Sequence, residues 1–255
     1  MKIYSWNILY RTKKPEQAFE YIKNLDFDVL CLQEVPEHFL TRLKTLPHAL
    51  VSETDAVFLS GKKTQATYNV ILSRHPIRAS GGIVLPHRAL PLRAFLLLKA
   101  KTGWSGFQNH TVAYADIDIG KEIMRVFCAH LTLFSSPSHR RRELGAIKDF
   151  LPHTLPAIVA GDFNIIEWSL MKPLNWVLGS SLSEAMPWRS ERVHAEAHFE
   201  KLRLKNPLRG TVTHGFSGSQ LDHILVPEDA KVLKAEVIKN TYGSDHHPVF
   251  VEVSL

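Results

Sequence analysis

The sequence predicts an α/β fold in which β-sheets pack against each other and helices cover their outer faces. Short runs rich in β-branched and aromatic residues recur along the 255 residues, as expected for strands. Several of these runs are apolar at nearly every position, which is typical of strands buried on both faces. Stretches with apolar residues at helical spacing interleave with them, and the combination favours layered sheets with helices outside.

The predicted strands are distributed over the whole chain. Each is a short apolar run, and turn-forming or charged residues separate it from the next. In chain order the strands are Ile3–Leu9, Asp28–Gln33, Val57–Ser60, Tyr68–Ser73, Arg93–Lys99, Thr111–Ile117, Met124–Leu131, Ala157–Ala160, Leu221–Val226 and Pro248–Val253.

The predicted helices carry an apolar face. The first begins near Pro15, where a proline is tolerated because its missing N–H would be unpaired anyway. The third follows a Ser-Ser-Pro-Ser run whose hydroxyl groups can cap a helix, and its opposite face is strongly basic. The remaining pattern between residues 165 and 210 is weak and predicts a long excursion. The later helices cover approximately Glu37–Thr45, Ser138–Leu151 and Val193–Leu204.

Composition limits the class of protein. With 45% hydrophobic residues and no linker-like segment, residues 1–255 are expected to form one domain. The formal charge of +6 and the pI of about 9.3 favour an anionic partner. Cys31 and Cys128 lie in apolar runs and are predicted to be free buried thiols. No run is long enough to span a bilayer and no signal-peptide pattern is visible, so we expect a cytoplasmic monomer without stable membrane insertion.

Polar side chains interrupt the apolar pattern at the ends of predicted strands. Asn7 lies near the end of the first strand, and Glu34 follows the second. An amide or carboxylate there is costly to desolvate unless a positive or hydrogen-bonding group meets it. Such oxygen ligands suit Mg²⁺. Taken alone, however, Asn7 also fits a turn cap and Glu34 an ion pair with a lysine.

Asp162 and Asn164 follow the strand Ala157–Ala160 in the run Ala-Gly-Asp-Phe-Asn. Residues two apart in an extended segment point the same way, so both side chains are expected to reach one cleft. Gly161 allows a tight turn or a close backbone approach. A carboxylate there can accept a proton from water while the amide orients the water or an anion. An Asx turn that ends the strand is the structural alternative.

Histidines and further carboxylates complete the set. His130 ends the run RVFCAH, Asp222 lies in LDHILV, and Asp245 and His246 precede the last strand. A buried carboxylate can fix the tautomer of an imidazole and raise its pKa. A satisfied core histidine or a turn would explain each residue separately. Because every cluster lies at or near a strand end, the set as a whole indicates one functional site built from oxygen and imidazole groups.

The blocks SWNI, LQEV, VILSRHPI, AHL, GDFN, LDHILV and SDHHPV resemble, in this order, the motifs of the endonuclease/exonuclease/phosphatase superfamily, which includes deoxyribonuclease I. The resemblance covers Asn7 to Val249. It implies a four-layered α/β sandwich, with two mixed β-sheets packed face to face and helices outside. It also implies a metal-dependent phosphoester hydrolase.

The resemblance further implies a role for each site residue. Asn7, Glu34 and Asp245 would contribute to a site for Mg²⁺ or Mn²⁺. Asp162 would position or activate the attacking water, and Asn164 would contact the scissile phosphate. Asp222 would orient His246 toward a non-bridging oxygen. His130 would be a phosphate contact or general acid, with Glu53 and Asp55 as candidates for its acidic partner. His223 stands where many relatives have an aromatic residue and receives no role.

The substrate is less closely defined by the sequence. The positive charge and the run Arg140, Arg141 and Arg142 favour a nucleic acid, because arginine contacts to phosphates give affinity without sequence readout. Trp168, Trp176 and Trp188 could stack bases or form a small core. A phosphatase or phospholipid phosphodiesterase on the same scaffold is the enzymatic alternative. A non-catalytic phosphate-binding module is the alternative outside enzymes.

Overall fold

The computed structural model describes residues 1–60, 63–86, 110–120, 122–133, 135–152, 154–166, 176 and 190–254. The predicted strand Arg93–Lys99 lies outside these residues, as do Trp168 and Trp188. The described helices are α1 (Pro15–Asn24), α2 (Glu37–Leu43), α3 (Pro137–Lys148) and α4 (Glu191–Lys201). The strands are β1 (Lys2–Asn7), β2 (Val29–Pro36), β3 (Ala49–Ser60), β4 (Lys63–Ser73), β5 (Ile77–Val84), β6 (Thr111–Asp118), β7 (Ile123–His130), β8 (Ala157–Asp162), β9 (Leu204–Lys205), β10 (Asp222–Pro227), β11 (Lys231–Val237) and β12 (Val249–Ser254).

The strands form two mixed six-stranded sheets. Their orders are β11-β12-β1-β2-β4-β3 and β5-β6-β7-β8-β10-β9. Each sheet has a parallel pair near its centre, β1 with β2 and β7 with β8, among antiparallel neighbours. The sheets face each other, since β1 contacts β8 and β10 while β3 contacts β6. With α1 and α2 packed outside the first sheet and α3 and α4 outside the second, the predicted four-layered sandwich is confirmed.

Apolar side chains fill the spaces between the four layers. The inter-sheet core is mostly small and β-branched, whereas the two outer cores contain the large aromatic residues. Burying one such large side chain stabilises the fold by roughly 1.5–3 kcal/mol. Representative members are Ile3, Val126 and Val251 between the sheets, Trp6 of β1 and Phe39 of α2 in the outer core of the first sheet, and Phe127 of β7 and Phe199 of α4 in the outer core of the second.

The strands that the sequence pattern missed, and the one that it shortened most, lie at sheet edges. β5, β9 and β11 were not predicted, and β3 begins at Ala49 instead of Val57. These four strands are the outermost members of the two sheets. An edge strand is partly solvated and carries polar and charged residues, so it lacks the continuous apolar run of a central strand. The burial of β8 at every position shows the contrast.

The helices lie close to their predicted positions. In α3 the side-chain oxygen of Ser136 accepts a hydrogen bond from the backbone N–H of His139, which confirms the predicted hydroxyl cap. Cys31 and Cys128 are both buried free thiols, as predicted. Among the described residues, no helix is long and apolar enough to cross a membrane.

Candidate active site

The site is assembled where the ends of the two central parallel pairs meet. Asn7 is the last residue of β1, and it pairs in register with Gln33 of β2, so Glu34 comes one residue later. The pairing of β2 with β4 shifts between Leu32 and Val35, and Glu34 has a left-handed backbone with φ of 55°. A bulge re-aims a side chain, and a strained residue of this kind is held by its surroundings. Glu34 is thereby directed to the strand end beside Asn7.

Three strands of the second sheet present their site residues side by side. His130 pairs in register with Asp162, and Asp162 pairs in register with Asp222 on the other side. All three are buried. Gly161 has a φ of +146°, and a Cβ at this position would lie 1.8 Å from the carbonyl oxygen of Ala129. Only glycine therefore lets β7 and β8 approach closely enough to place His130 beside Asp162.

Asp245 and His246 reach the same edge from the segment before β12. Because β12 is antiparallel to β1, its first residues lie beside the last residues of β1. The hydroxyl of Ser244 donates to the carbonyl oxygen of Asn7 at 2.7 Å. The indole Nε1 of Trp6 donates to the carbonyl oxygen of His246 at 3.2 Å. These two bonds fix the segment against β1.

The predicted residues converge on one carboxylate. Asn7 Nδ2 donates to Glu34 Oε1 at 3.0 Å and to Asp162 Oδ2 at 3.1 Å. The Nε2 atoms of His130 and His246 each lie 3.7 Å from that same oxygen of Asp162. Residues that are far apart in the chain and belong to both sheets thus form a single cluster.

His130 is held from behind by Asp55, which settles the choice between Glu53 and Asp55. Its Nδ1 lies 2.7 Å from Asp55 Oδ2, and Asp55 is fully buried. The pairing of β3 with β4 shifts between Thr54 and Ala56, so Asp55 occupies a bulge that points it between the sheets.

His110 uses the other oxygen of Asp55. Its Nδ1 lies 3.1 Å from Asp55 Oδ1, and its ring meets that of His130 edge to face. Burial alone raises the pKa of Asp55, but the two imidazoles outweigh burial and hold it well below its usual range. The sequence analysis did not select His110. The one feature of the sequence that could have indicated His110 is that it immediately precedes the predicted strand Thr111–Ile117.

The second imidazole has the same arrangement. His246 Nδ1 lies 2.9 Å from Asp222 Oδ2, and the backbone N–H of Asp222 donates to Thr213 Oγ1 at 3.0 Å. Burial alone lowers the pKa of His246, but neighbouring carboxylates raise it to about 10. The pKa of His130 is likewise lowered by burial and raised by carboxylates, with a net rise to about 10. The carboxylates responsible are Asp222, Asp162 and Asp245 for His246, and Asp55, Asp162 and Glu34 for His130.

Asn164 is buried beside Asp162 in a left-handed conformation with φ of 52°. Its backbone N–H donates to Asp162 Oδ1 at 2.9 Å, which is the Asx turn that the sequence allowed. Its side-chain Nδ2 donates to the carbonyl oxygen of Leu131 at 2.7 Å. The turn and the site residue are therefore one feature, because the turn fixes the Asp162 carboxylate.

The oxygen donors fit a hard divalent cation. Glu34 and Asp245 are the more exposed carboxylates of the cluster, with side-chain exposures of 20% and 51%. Asp162 lies behind them, and hard cations prefer such oxygen ligands. Asn7 departs from the expectation of an amide-oxygen ligand, since its Nδ2 faces the carboxylates and its Oδ1 accepts from Leu9 N–H at 3.0 Å. In this arrangement Asn7 holds Glu34 and Asp162 together.

The basic run on α3 separates into a buried and an exposed part. Arg140 is buried, and its Nε and Nη2 donate to the two carboxylate oxygens of Glu191 at 2.6 and 2.8 Å. Its Nη1 donates to the carbonyl oxygen of Ser135 at 3.1 Å. Arg140 therefore links α3 to the start of α4 and does not extend over the surface as a substrate contact would. Arg142 is exposed, and Arg141 is partly exposed.

His223 packs behind the site. Its ring stacks on Phe163 with centroids 4.6 Å apart, and its Nε2 lies 2.5 Å from Nη1 of the buried Arg192. Burial and the nearby guanidinium lower the pKa of His223 well below its usual value. A neutral imidazole thus packs against Phe163 and Phe199 and supports the strand that carries Asp222.

Comparisons with known proteins agree with this architecture. The model of the Endonuclease/Exonuclease/phosphatase family matches residues 4–246. No curated protein sequence matches significantly. A solved endonuclease/exonuclease/phosphatase from Beutenbergia cavernae DSM 12333 is 17% identical, with a TM-score of 0.73, and the alignment covers 100% of this chain and 71% of that one.

Two further solved structures carry descriptions of an activity. A mannosyl-6-phosphatase from Bacteroides thetaiotaomicron VPI-5482 has a TM-score of 0.63 and 16% identity, with 100% of both chains covered. A 3′ phosphatase from Neisseria bound to a product DNA hairpin has a TM-score of 0.58 and 18% identity, again with 100% of both chains covered. At such identities the likeness establishes the shared fold.

Proposed function

The chain belongs to the endonuclease/exonuclease/phosphatase family, and we propose on this premise that it hydrolyses a phosphodiester bond of a nucleic acid. One observation carries the proposal. Two imidazole Nε2 atoms lie 3.7 Å from the same oxygen of Asp162, and each ring is held from behind by a buried carboxylate. This arrangement pairs one proton acceptor with two proton or hydrogen-bond donors, which is what phosphoester hydrolysis requires.

Asp162 is the proposed acceptor for the proton of the attacking water. Its Oδ1 is occupied by the backbone N–H of Asn164, so Oδ2 is the oxygen that faces the cluster. The water oxygen forms a new bond to phosphorus as Asp162 takes its proton. In-line attack requires the leaving oxygen to lie on the opposite side of phosphorus.

His130 and His246 are the proposed donors. As imidazoliums, both direct Nε2–H toward the space in front of Asp162, because each Nδ1–H is bound to a carboxylate. His130 gives its proton to the leaving oxygen as the P–O bond breaks. His246 donates a hydrogen bond to a non-bridging oxygen, whose negative charge grows in the transition state.

Glu34 and Asp245, with Asp162 behind them, would hold a divalent cation, for which we propose Mg²⁺ or Mn²⁺. When bound there, such a cation neutralises charge on the phosphate oxygens. Asn7 keeps the Glu34 and Asp162 carboxylates close together through its two hydrogen bonds, although like charges repel each other. The proposed ligands are carboxylates, and carboxylate oxygens suit Mg²⁺ and Mn²⁺.

A nucleic-acid substrate is supported by the net charge of the chain and by two exposed side chains. The chain has a formal charge of +6, and Arg142 is exposed on α3, which follows the end of β7. Phe216 is 84% exposed and lies two residues from His214, which contacts Asp245. An exposed aromatic ring beside a phosphate site can stack on a base. The DNA hairpin bound by the Neisseria relative is consistent with this substrate class.

The test compares phosphodiesters with phosphomonoesters. Single- and double-stranded DNA and RNA, DNA with a 3′ phosphate, and mannose 6-phosphate are incubated with enzyme and Mg²⁺, Mn²⁺ or a chelator. We expect internal or terminal diester cleavage that the chelator abolishes and that falls about 10²–10³-fold in Asp162→Asn. Asp149→Asn, a change at an exposed carboxylate after α3, is the matched control.

Two results would change the proposal. Release of inorganic phosphate without diester cleavage would replace the nuclease with a phosphatase on the same site. Full turnover by Asp162→Asn would remove the proposed mechanism, even if nucleic acid remained the substrate.

A further inference from the structure

A third histidine, His214, lies beside the cluster in the segment between α4 and β10. The backbone of His214 forms isolated β-bridges to Ser219 and to His246. Its Nε2 lies 3.7 Å from Asp245 Oδ2, and its ring centroid lies 4.8 Å from that of His246. The side chain is only 14% exposed. The sequence analysis assigned no role to this residue.

The tautomer of His214 is fixed by Ser217. The backbone N–H of Ser217 donates to His214 Nδ1 at 3.2 Å, and the hydroxyl oxygen of Ser217 lies 2.9 Å from the same nitrogen, to which it can also donate. A backbone N–H can only donate, so Nδ1 must carry a lone pair and the ring proton must lie on Nε2. The Nε2–H group therefore faces the Asp245 carboxylate.

This tautomer distinguishes His214 from a metal ligand. The Nε2 atoms of His214 and His246 and the carboxylate of Asp245 are close enough together to suggest a ligand triad. A ligating nitrogen must offer a lone pair, and its other ring nitrogen then donates to an acceptor. In His214 the arrangement is reversed: Nδ1 accepts a hydrogen bond from the Ser217 backbone N–H, and the ring proton is on Nε2, the nitrogen that faces Asp245.

Asp245 is the carboxylate of the cluster that most needs an external support. Its side chain is 51% exposed, whereas Asp162 and Asp222 are buried within strands. Its Oδ2 faces His214, and its Oδ1 lies 4.0 Å from His246 Nε2. Each oxygen thus faces one imidazole, at a distance longer than a hydrogen bond, and the two contacts favour one orientation of the carboxylate.

We propose that His214 is a positioning residue that holds Asp245 toward the cation site through Nε2–H. The inference rests on the proposed function, because the orientation of Asp245 matters if this residue binds a cation. Neighbouring groups that orient a ligand in this way typically change metal affinity 10–100-fold when they are removed. The Ser217 backbone amide acts indirectly: its hydrogen bond to Nδ1 keeps the ring proton of His214 on Nε2.

The experiment measures Mn²⁺ binding directly, by electron paramagnetic resonance of free Mn²⁺ in the absence of substrate. Glutamine places an amide N–H donor near the position of Nε2, whereas leucine has similar bulk but no donor and adds no charge. We expect His214→Gln to bind Mn²⁺ within about threefold of the wild type. His214→Leu and His214→Ala should bind about 10–100-fold more weakly. His194→Ala, at an exposed position on α4, is the matched control.

The outcomes separate this inference from the proposed function. Equal Mn²⁺ affinity in all His214 variants would overturn the positioning role, and so would equal weakening in His214→Gln and His214→Leu. If the alanine variant does not fold, the glutamine and leucine pair still decides the matter. Absence of Mn²⁺ binding to the wild type would overturn the cation site itself, and with it both proposals. Thermal unfolding in chelator verifies that each variant is folded.

Discussion

Asp55 is the most informative position to perturb, because it touches no substrate in the proposed mechanism and acts only through His130. Both of its oxygens lie within hydrogen-bonding distance of an imidazole Nδ1, at 2.7 Å for His130 and 3.1 Å for His110. Asparagine has the same shape but only one acceptor oxygen. In Asp55→Asn, one of the two imidazoles must therefore lose its acceptor, and neither is stabilised as a cation.

The size of the effect follows from the distance and the burial. Two unit charges 2.7 Å apart interact by about 6 kcal/mol at an effective dielectric constant of about 20. The cost of burying the His130 imidazolium offsets part of this attraction, and the remainder contributes to raising its pKa to about 10. A positioned general acid typically contributes 10²–10⁴-fold to a rate. We expect kcat of Asp55→Asn to fall about 10²–10³-fold, with little change in KM.

The assay uses two diesters that differ in their need for an acid. The alkoxide that leaves from a nucleic-acid strand must be protonated, whereas p-nitrophenolate leaves readily without a proton. Cleavage of an oligonucleotide should show the full loss in Asp55→Asn. Cleavage of a p-nitrophenyl nucleotide ester should fall by less than about tenfold, since general-acid catalysis contributes little there.

The control is Asp28→Asn, which alters a partly exposed Asp–His pair with His75 at 3.2 Å, remote from the site in the fold. It should leave both rates unchanged. Equal losses for the two diesters would refute the assignment of His130 as general acid. A loss below threefold for both would refute the coupling between Asp55 and catalysis. Circular dichroism and urea unfolding establish that the variants share one fold.

Three further changes test the framework around the site. Gly161→Ala should destabilise the fold by more than about 4 kcal/mol in urea unfolding, because its Cβ would meet the backbone of Ala129, whereas Gly215→Ala has open space and should be tolerated. Glu143 is buried and accepts two hydrogen bonds from Thr132; burial alone raises its pKa, but hydrogen bonds from a histidine and Thr132 lower it. Because its folded-state pKa is lowered, the ionised Glu143 carboxylate stabilises the fold fully above the unfolded pKa of about 4.3, and this contribution is lost as the pH falls through the folded-state pKa. Glu143→Gln should therefore be about 1–3 kcal/mol less stable than the wild type at pH 7, and the difference should shrink at acid pH. Exposed Arg142→Ala should weaken DNA binding and reduce its salt slope by about one, measured by fluorescence anisotropy in chelator, and an unchanged slope would exclude a phosphate contact.

Sequence patterns predicted the central strands well and the edge strands poorly. The central strands β1, β2, β7, β8 and β10 consist mostly of buried residues, because both faces of their sheets are covered. Edge strands such as β11 are exposed to water along one side and therefore carry polar residues, so their sequence resembles that of a loop. The same physics made the site visible, since a polar residue at the end of a doubly buried strand stands out from its neighbours.

Positions within the site were harder to predict where the packing of the sheets or a distant segment decides them. The choice between Glu53 and Asp55 depends on the packing of the two sheets, because the Glu53 carboxylate lies beside Gly82 of β5 whereas the Asp55 carboxylate reaches His130 of β7. Arg140 is buried and Arg142 is exposed because Glu191, at the start of α4, forms an ion pair with Arg140. The position of α4 therefore decides which arginine of the run remains on the surface. Neither is encoded in the local sequence around these residues.

The sequence by itself therefore determined the layered α/β class and the chemical types gathered at the strand ends, because burial on two faces leaves a continuous apolar signature. The tertiary structure alone decided the partnerships: which carboxylate lies behind each imidazole, and that His110 and His214 join the cluster. The physical reason is that such contacts join elements from opposite sheets. Their distances depend on the register, bulges and spacing of the whole sandwich, which no single segment specifies.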